Sequence, residues 1–339
     1  MNASFIDTPK PATVPTRSMA ANDLAPENDP APKCDPAPAC DPAPVSDPDG
    51  LFARHYNRKN FMFAHRLAGH PLFELPSLVE LSRRMPDHND TYWSNGNVAV
   101  GNSWEAGTAG RLSLQETIAN IEHNNSIVIL KHTEQDPIFA PVLQQVLSGM
   151  IELSGERMRC DVTIGEVLIL VSSPGRITPY HMDAEVNFLL QVRGDKSFYI
   201  FDHTDRSLVT DRELENFYAV SNASAVYRPE RQHEATAYEL RAGYGLHLPV
   251  TAPHWVQNKN NVSVALSVNY ELRSVGRLLE LHRINRRLRK MGLNPTPPGR
   301  SPLRDRMKLT LAAGIGAVRS VAKRTERTRP YAVWTPRGD

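Results

Sequence analysis

A chain of 339 residues, 40% apolar and 22% charged, is long enough to bury a large core, and its formal net charge of +2 says little about partners until it is resolved along the chain. No apolar run is long enough to span a bilayer and no basic leader precedes one, so a cytoplasmic location is expected. Of the three cysteines, Cys34 and Cys40 lie in a low-complexity segment and Cys160 stands alone, so no disulfide framework is implied and a zinc site from Cys34 and Cys40 is two ligands short.

Residues 1–50 carry a hexapeptide repeat, Asp-Pro-Ala-Pro followed by two variable residues, beginning at Asp29, Asp35 and Asp41. Such a segment has little to bury and lacks donors at its prolines. It is expected to be an extended, disordered tail acting as tether or spacer.

Residues 51–124 read as an α/β entry region. Ser77 with Glu80 three residues later has capping-box spacing and predicts a helix through Arg84; Ser113 with Glu116 opens another. Asp90 to Gly110, rich in Asn, Gly, Trp and Tyr, is a candidate lid. Residues 125–272 form the expected core. Ile127–Leu130 is a buried strand, Pro141–Leu153 an apolar-faced helix, and Val167–Val171 a buried strand ending in the turn cluster Ser172-Ser173-Pro174-Gly175. Val186–Val192 and Ser197–Phe201 read as two strands joined across Arg193-Gly194-Asp195-Lys196, a meander of antiparallel strands. Gly243–Pro249 and the period-two run Val262–Tyr270 supply the return strands.

Between the turn cluster and the meander stands Thr178-Pro179-Tyr180-His181-Met182-Asp183. Side chains alternate along an extended segment, so His181 and Asp183 point the same way. A further imidazole, His254 in Pro253-His254-Trp255, would complete a facial triad of two histidines and one carboxylate. That donor set leaves coordination positions open, the pattern of non-haem Fe(II) oxygenases. His247, seven residues before His254, is the competing ligand but is assigned to the core or to the surroundings of the ligands; His203, His233 and His282 are assigned to loop or helix surface.

With these residues in hand, the segment order resembles that of the jumonji (JmjC)-type cupins, Fe(II)- and 2-oxoglutarate-dependent oxygenases. It is most similar to the factor-inhibiting-HIF type of hydroxylase and its bacterial cupin-like relatives, over roughly residues 125–272. The resemblance implies a mainly β fold, a double-stranded β-helix (jelly-roll cupin) with flanking helices. It implies His181, Asp183 and His254 as metal ligands and catalytic centre, with Fe(II), 2-oxoglutarate and dioxygen as cofactor and co-substrates. Thr178, three residues before the first ligand, falls on a position that hydroxyl-bonds the co-substrate, and Lys196 on one that pairs with its distal carboxylate. Asn187 and Asn269 fall on positions lining the same pocket. The implied activity is hydroxylation of a protein side chain or a small molecule. A non-catalytic cupin-like binding or regulatory protein is the alternative.

Residues 273–339 form a basic, helical extension, in which Lys and Arg outnumber Asp and Glu about four to one. Leu278, Leu281, Ile284, Leu288 and Met291 recur at helical spacing, with arginines on the other faces, and a second amphipathic candidate runs from Met307 to Lys323. One reading is a helical hairpin packed on the barrel or forming a homodimer; another is a basic face for nucleic acid or an anionic membrane surface.

Overall fold

The computed structural model describes residues 18–19, 43–85, 91–102, 112–220 and 224–320. The repeats at Asp29 and Asp35, and Asp90 and 103–110 of the expected lid, lie outside the described residues. The elements are β1 (Ser18–Met19), β2 (Val45–Ser46), α1 (Leu51–His55), β3 (Phe61–His65), α2 (Leu75–Arg84), β4 (Thr91–Asn95), α3 (Leu114–Ala119), β5 (Ser126–Leu130), α4 (Ala140–Ser154) and α5 (Glu156–Asp161). They continue with β6 (Val162–Ser172), β7 (Ile177–His181), β8 (Val186–Arg193), β9 (Lys196–Ile200), α6 (Asp211–Ala219), β10 (Thr236–Leu240), β11 (Tyr244–Leu248), β12 (His254–Asn258), β13 (Ser263–Leu272), α7 (Arg273–Lys290) and α8 (Pro302–Ser320).

Two sheets face each other as a jelly-roll core with helices outside. The smaller has the order β1-β10-β9-β12-β7 and the larger β2-β3-β11-β8-β13-β6-β5-β4. All pairings are antiparallel except that of β1 with β10. This arrangement corrects the meander: β8 pairs with β11 and β13, whereas β9 pairs with β10 and β12, so the chain crosses between sheets at Gly194. The cause is burial. Val186 to Val192 are all buried, and a strand covered on both faces belongs at the centre of a sheet with a neighbour on each side.

Gly194 makes that crossing sterically feasible. Its φ is +73°, and a Cβ built there would lie 2.3 Å from both the Asn261 Oδ1 and the Val262 carbonyl oxygen. Asn261 Oδ1 is held in place by accepting the Asp195 N–H at 2.9 Å.

At the tail, the end of the third repeat is ordered. Val45 is buried and Val45–Ser46 pairs with His65 and Ala64, while Asp47 accepts the N–H groups of Leu51 and Phe52 at the start of α1. The Ser113–Glu116 capping box forms as expected. Ser77 does not cap. Pro76 fits the first turn of α2, so the helix starts earlier, and the Ser77 hydroxyl donates to the Pro71 carbonyl at 3.0 Å. Five residues of the expected lid, Thr91–Asn95, are strand: β4 pairs along its length with β5.

The basic helix α7 buries Leu281 and half-buries Leu278, Ile284 and Leu288, so most of the expected stripe packs inward, turned toward His282 and Asn285. Val275, Leu281, His282 and Asn285 are buried, whereas Met291, assigned to the apolar stripe, is 74% exposed. The reason lies in α6, which offers acceptors: Arg283 donates to the Tyr218 carbonyl, Arg286 to Asn216, and Arg289 to Glu215 at 2.9 and 3.0 Å. His282, assigned to the surface, stacks on Tyr218 with centroids 5.3 Å apart. Among the described residues no helix is long and apolar enough to cross a membrane.

Gly194→Ala tests the crossing. Left-handed backbone alone costs a non-glycine residue roughly 1–2 kcal/mol, and the overlap with the Val262 carbonyl adds to it. Urea unfolding should show a loss of about 2 kcal/mol or more; an unchanged midpoint would mean that the crossing tolerates a side chain.

Candidate metal centre and its cavity

The centre is built by strand register. β7 and β12 are antiparallel neighbours with His254 directly opposite His181, and opposed residues leave a sheet on the same side. The two rings lie 4.2 Å apart between centroids. Asp183, two residues past the end of β7, turns its carboxylate between them: Oδ1 is 3.8 Å from His181 Nε2 and Oδ2 is 3.8 Å from His254 Nε2. All three donor atoms lie within 4.8 Å of one another, and among the described residues this is the one cluster of three such groups.

Each imidazole has its tautomer set by its own strand. His181 Nδ1 lies 2.7 Å from the Pro179 carbonyl and His254 Nδ1 lies 2.9 Å from the Ala252 carbonyl. A carbonyl oxygen can only accept, so both Nδ1 atoms carry the proton and both Nε2 atoms present lone pairs to the common centre. Burial pushes both rings down to about 4, and His181 lowers His254 further, so both are neutral at physiological pH. Burial raises the Asp183 carboxyl above its ordinary range, the sign of an anion awaiting a compensating cation.

His247 is excluded as a ligand on geometry. It is fully buried, its Nδ1 lies 3.1 Å from the Asn187 carbonyl, and its Nε2 accepts the Asn57 N–H at 2.9 Å, leaving no lone pair for a metal. It is a packed core residue between Phe188 and Phe61.

The three donors open onto a cavity of about 560 Å³ between the sheets. Thr178, Asn187, Lys196 and Asn269 line the same cavity, so all seven residues singled out in the sequence are brought together. Along the small sheet they form a ladder. His181 and His254 share one level, Thr178 lies level with Val256 and Phe198, and Lys196 lies level with Asn258. Asn258 is four residues from His254, roughly 13 Å along a strand. On the facing sheet Asn187 Nδ2 donates to Ser267 Oγ and Asn269 Oδ1, both at 2.6 Å.

Lys196 is 4% exposed, and no carboxylate among the described residues pairs with it. Burial alone pushes its ammonium down to about 7. Four further cavity residues escaped the sequence reading: Tyr92, Lys131, Glu185 and Ser267. Glu185 and Ser267 were legible by alternation, two residues beyond Asp183 and two before Asn269. Tyr92 and Lys131 were not, since they arrive only through the docking of β4 and β5 on β6.

The donor set predicts the metal response. In calorimetric titration of the apo chain with Co(II), His181→Ala and His254→Ala should each abolish binding, whereas His247→Gln should retain it. Because both ligand histidines stay neutral well below their ordinary range, imidazole protonation should weaken affinity only at acidic pH, whereas the raised Asp183 carboxyl can cost at most tenfold per pH unit above that. A loss steeper than tenfold per pH unit beginning at pH 6.5 would mean that an imidazole protonates there and would contradict the buried geometry.

No protein-family model matches this chain, and no curated protein matches it in sequence. Among solved structures the chain is similar to ycfD of E. coli, with 13% identity over 83% of this chain and 69% of that one, at a TM-score of 0.48. It is also similar to YcfD, a ribosomal oxygenase from Escherichia coli, in complex with cobalt and 2-oxoglutarate, with 13% identity over 84% of this chain and 68% of that one, at a TM-score of 0.45.

Proposed function

We propose that the chain is a cytoplasmic Fe(II)- and 2-oxoglutarate-dependent dioxygenase that hydroxylates a protein side chain or a small molecule. One observation carries this reading: a single cavity joins a face of two histidines and a carboxylate to a buried lysine that lacks an anionic partner among the described residues.

His181, Asp183 and His254 would hold the iron, which when bound supplies the dioxygen chemistry that couples decarboxylation of 2-oxoglutarate to substrate hydroxylation. The chain's own residues bind, orient and exclude water. The carbonyls of Pro179 and Ala252 aim the two Nε2 lone pairs. Lys196 supplies a cation for the far carboxylate of a five-carbon diacid whose other end lies at the metal, and the ladder spacing leaves room for the lysine stem and the diacid in series. Thr178, midway along the ladder, offers a hydroxyl to the same ligand. Ile127, Ile129, Leu168, Leu170, Leu189 and Val256 wall the space between and keep it dry.

The lysine makes a measurable proton linkage. With its folded value near 7 rather than 10.5, Lys196 is largely neutral at pH 8.5, and a bound dicarboxylate favours the charged form. Binding of 2-oxoglutarate to the Co(II)-loaded chain at pH 8.5 should therefore take up close to one proton, read from calorimetry in buffers of different ionisation enthalpy. Lys196→Met should abolish the uptake and weaken binding by roughly 3–5 kcal/mol, the cost of leaving a buried charge unpaired. It should leave metal affinity intact. Unchanged 2-oxoglutarate affinity in that variant would remove Lys196 from the pocket. Absence of the visible Fe(II)–2-oxoglutarate absorption band under anaerobic conditions would favour the non-catalytic alternative.

A further inference from the structure

The C-terminal helix α8 is inside out. Asp305 is buried and Lys308 is half-buried against the α7–α8 connection, where Asp305 accepts the Gly299 N–H at 2.7 Å and Lys308 donates to the Thr296 carbonyl. The outer face carries Leu303, Met307 and Leu311, which are 71%, 56% and 65% exposed. These three recur every fourth residue and form one stripe about 12 Å long. With Met291 and Leu293 at the α7–α8 turn, five of the nine exposed large apolar side chains among the described residues lie within 21 residues of chain. A helix that turns its acid inward and its leucines outward leaves apolar surface in water unless something covers it.

The charge around the stripe identifies the cover. Between Arg286 and Ser320 there are nine Lys or Arg residues and one acid, Asp305, in a chain whose net charge is only +2. Arg286 and Arg289 are engaged with α6, and Arg304 donates to Thr296. Arg287, Lys290, Arg300 and Arg306 are exposed, and none of them makes a side-chain hydrogen bond or ion pair among the described residues. A second copy of the chain seated on this face would bring like charges together. A nucleic acid would satisfy the cations and leave the leucines and methionines wet. An anionic bilayer rewards both: acyl chains take the apolar stripe and headgroup phosphates take the cations.

We propose that the α7–α8 hairpin is a peripheral docking surface for anionic phospholipid membranes, with Leu303, Met307 and Leu311 dipping below the headgroups and Arg287, Lys290, Arg300 and Arg306 engaging phosphates. The surface works independently of the metal centre and lies outside the cavity that the dioxygenase reading uses.

Flotation of the full chain with vesicles tests it. The chain should float with an equimolar mixture of phosphatidylcholine and phosphatidylglycerol, remain unbound with phosphatidylcholine alone, and release as salt is raised. Combined Leu303→Ser, Met307→Ser and Leu311→Ser should lower vesicle affinity at least tenfold, and each Arg→Gln or Lys→Gln change among the four cations about fivefold. Co(II) and 2-oxoglutarate binding in these variants should match the parent chain, showing that the fold is intact. No flotation with the mixed vesicles would overturn the proposal. So would flotation unaffected by the three serines, which would indicate generic polyanion binding, or a dimer in light scattering that the three serines dissolve, which would make a second copy the occupant.

Discussion

The antiparallel register of β7 against β12 is the constraint on which the site depends. Because side chains alternate, a slip of one residue would turn His254 to the outside and bring Trp255 into the cavity. Several contacts hold the register. Trp255 stacks on Tyr199 on the outer face with centroids 4.1 Å apart, and its indole N–H donates to Gln232. At the other end of β12, Asn258 Nδ2 donates to Ser172 Oγ and to the Ser173 carbonyl, both at 2.8 Å, which pins the strand to the end of β6 in the other sheet. The irregularity between His254 and Val256 then absorbs the mismatch with β7 without moving the ligand.

The cavity that results is costly for the empty chain. Two imidazoles and an ammonium are taken out of water with few charged partners, and each shifts toward its neutral form, as does the partly exposed Asp183 carboxyl beside them. The surrounding fold supports this from both sheets. Fully buried Leu190, Val264, Leu266, Val268 and Tyr270 form the packed centre of the large sheet, and Tyr270 anchors it outward by donating to the Leu147 carbonyl of α4 at 2.7 Å. Polar groups placed where their solvation is poor mark a site kept for binding, since apolar residues of similar size would stabilise the same fold better.

The legible part of this architecture was local. Long apolar runs announced β6, β8 and β13, His-x-Asp announced two ligands, and Ser113 with Glu116 announced a cap. The pairing of strands was not local. Strands β8 and β9 are joined by a two-residue link that reads as a hairpin, and only the burial of β8 on both faces sends them to different sheets. β12 went unrecognised because its five residues, His254-Trp255-Val256-Gln257-Asn258, show no clear apolar alternation. On α7 the leucine spacing located the side that packs, and the acceptors of α6 turned the docking toward the arginines and His282. Helical periodicity locates a stripe; it says nothing of a polar partner supplied by another helix.

Both ligand imidazoles are oriented by the carbonyl of the residue two positions earlier in the chain, Pro179 for His181 and Ala252 for His254. Many metal-bound histidines are instead oriented by a carboxylate side chain, which a single codon change can remove. A main-chain carbonyl is present whatever residue carries it. The aim of these two rings is therefore insulated from drift at neighbouring positions, and the residues around the cavity are free to diversify toward new substrates while the metal-facing geometry is inherited with the backbone.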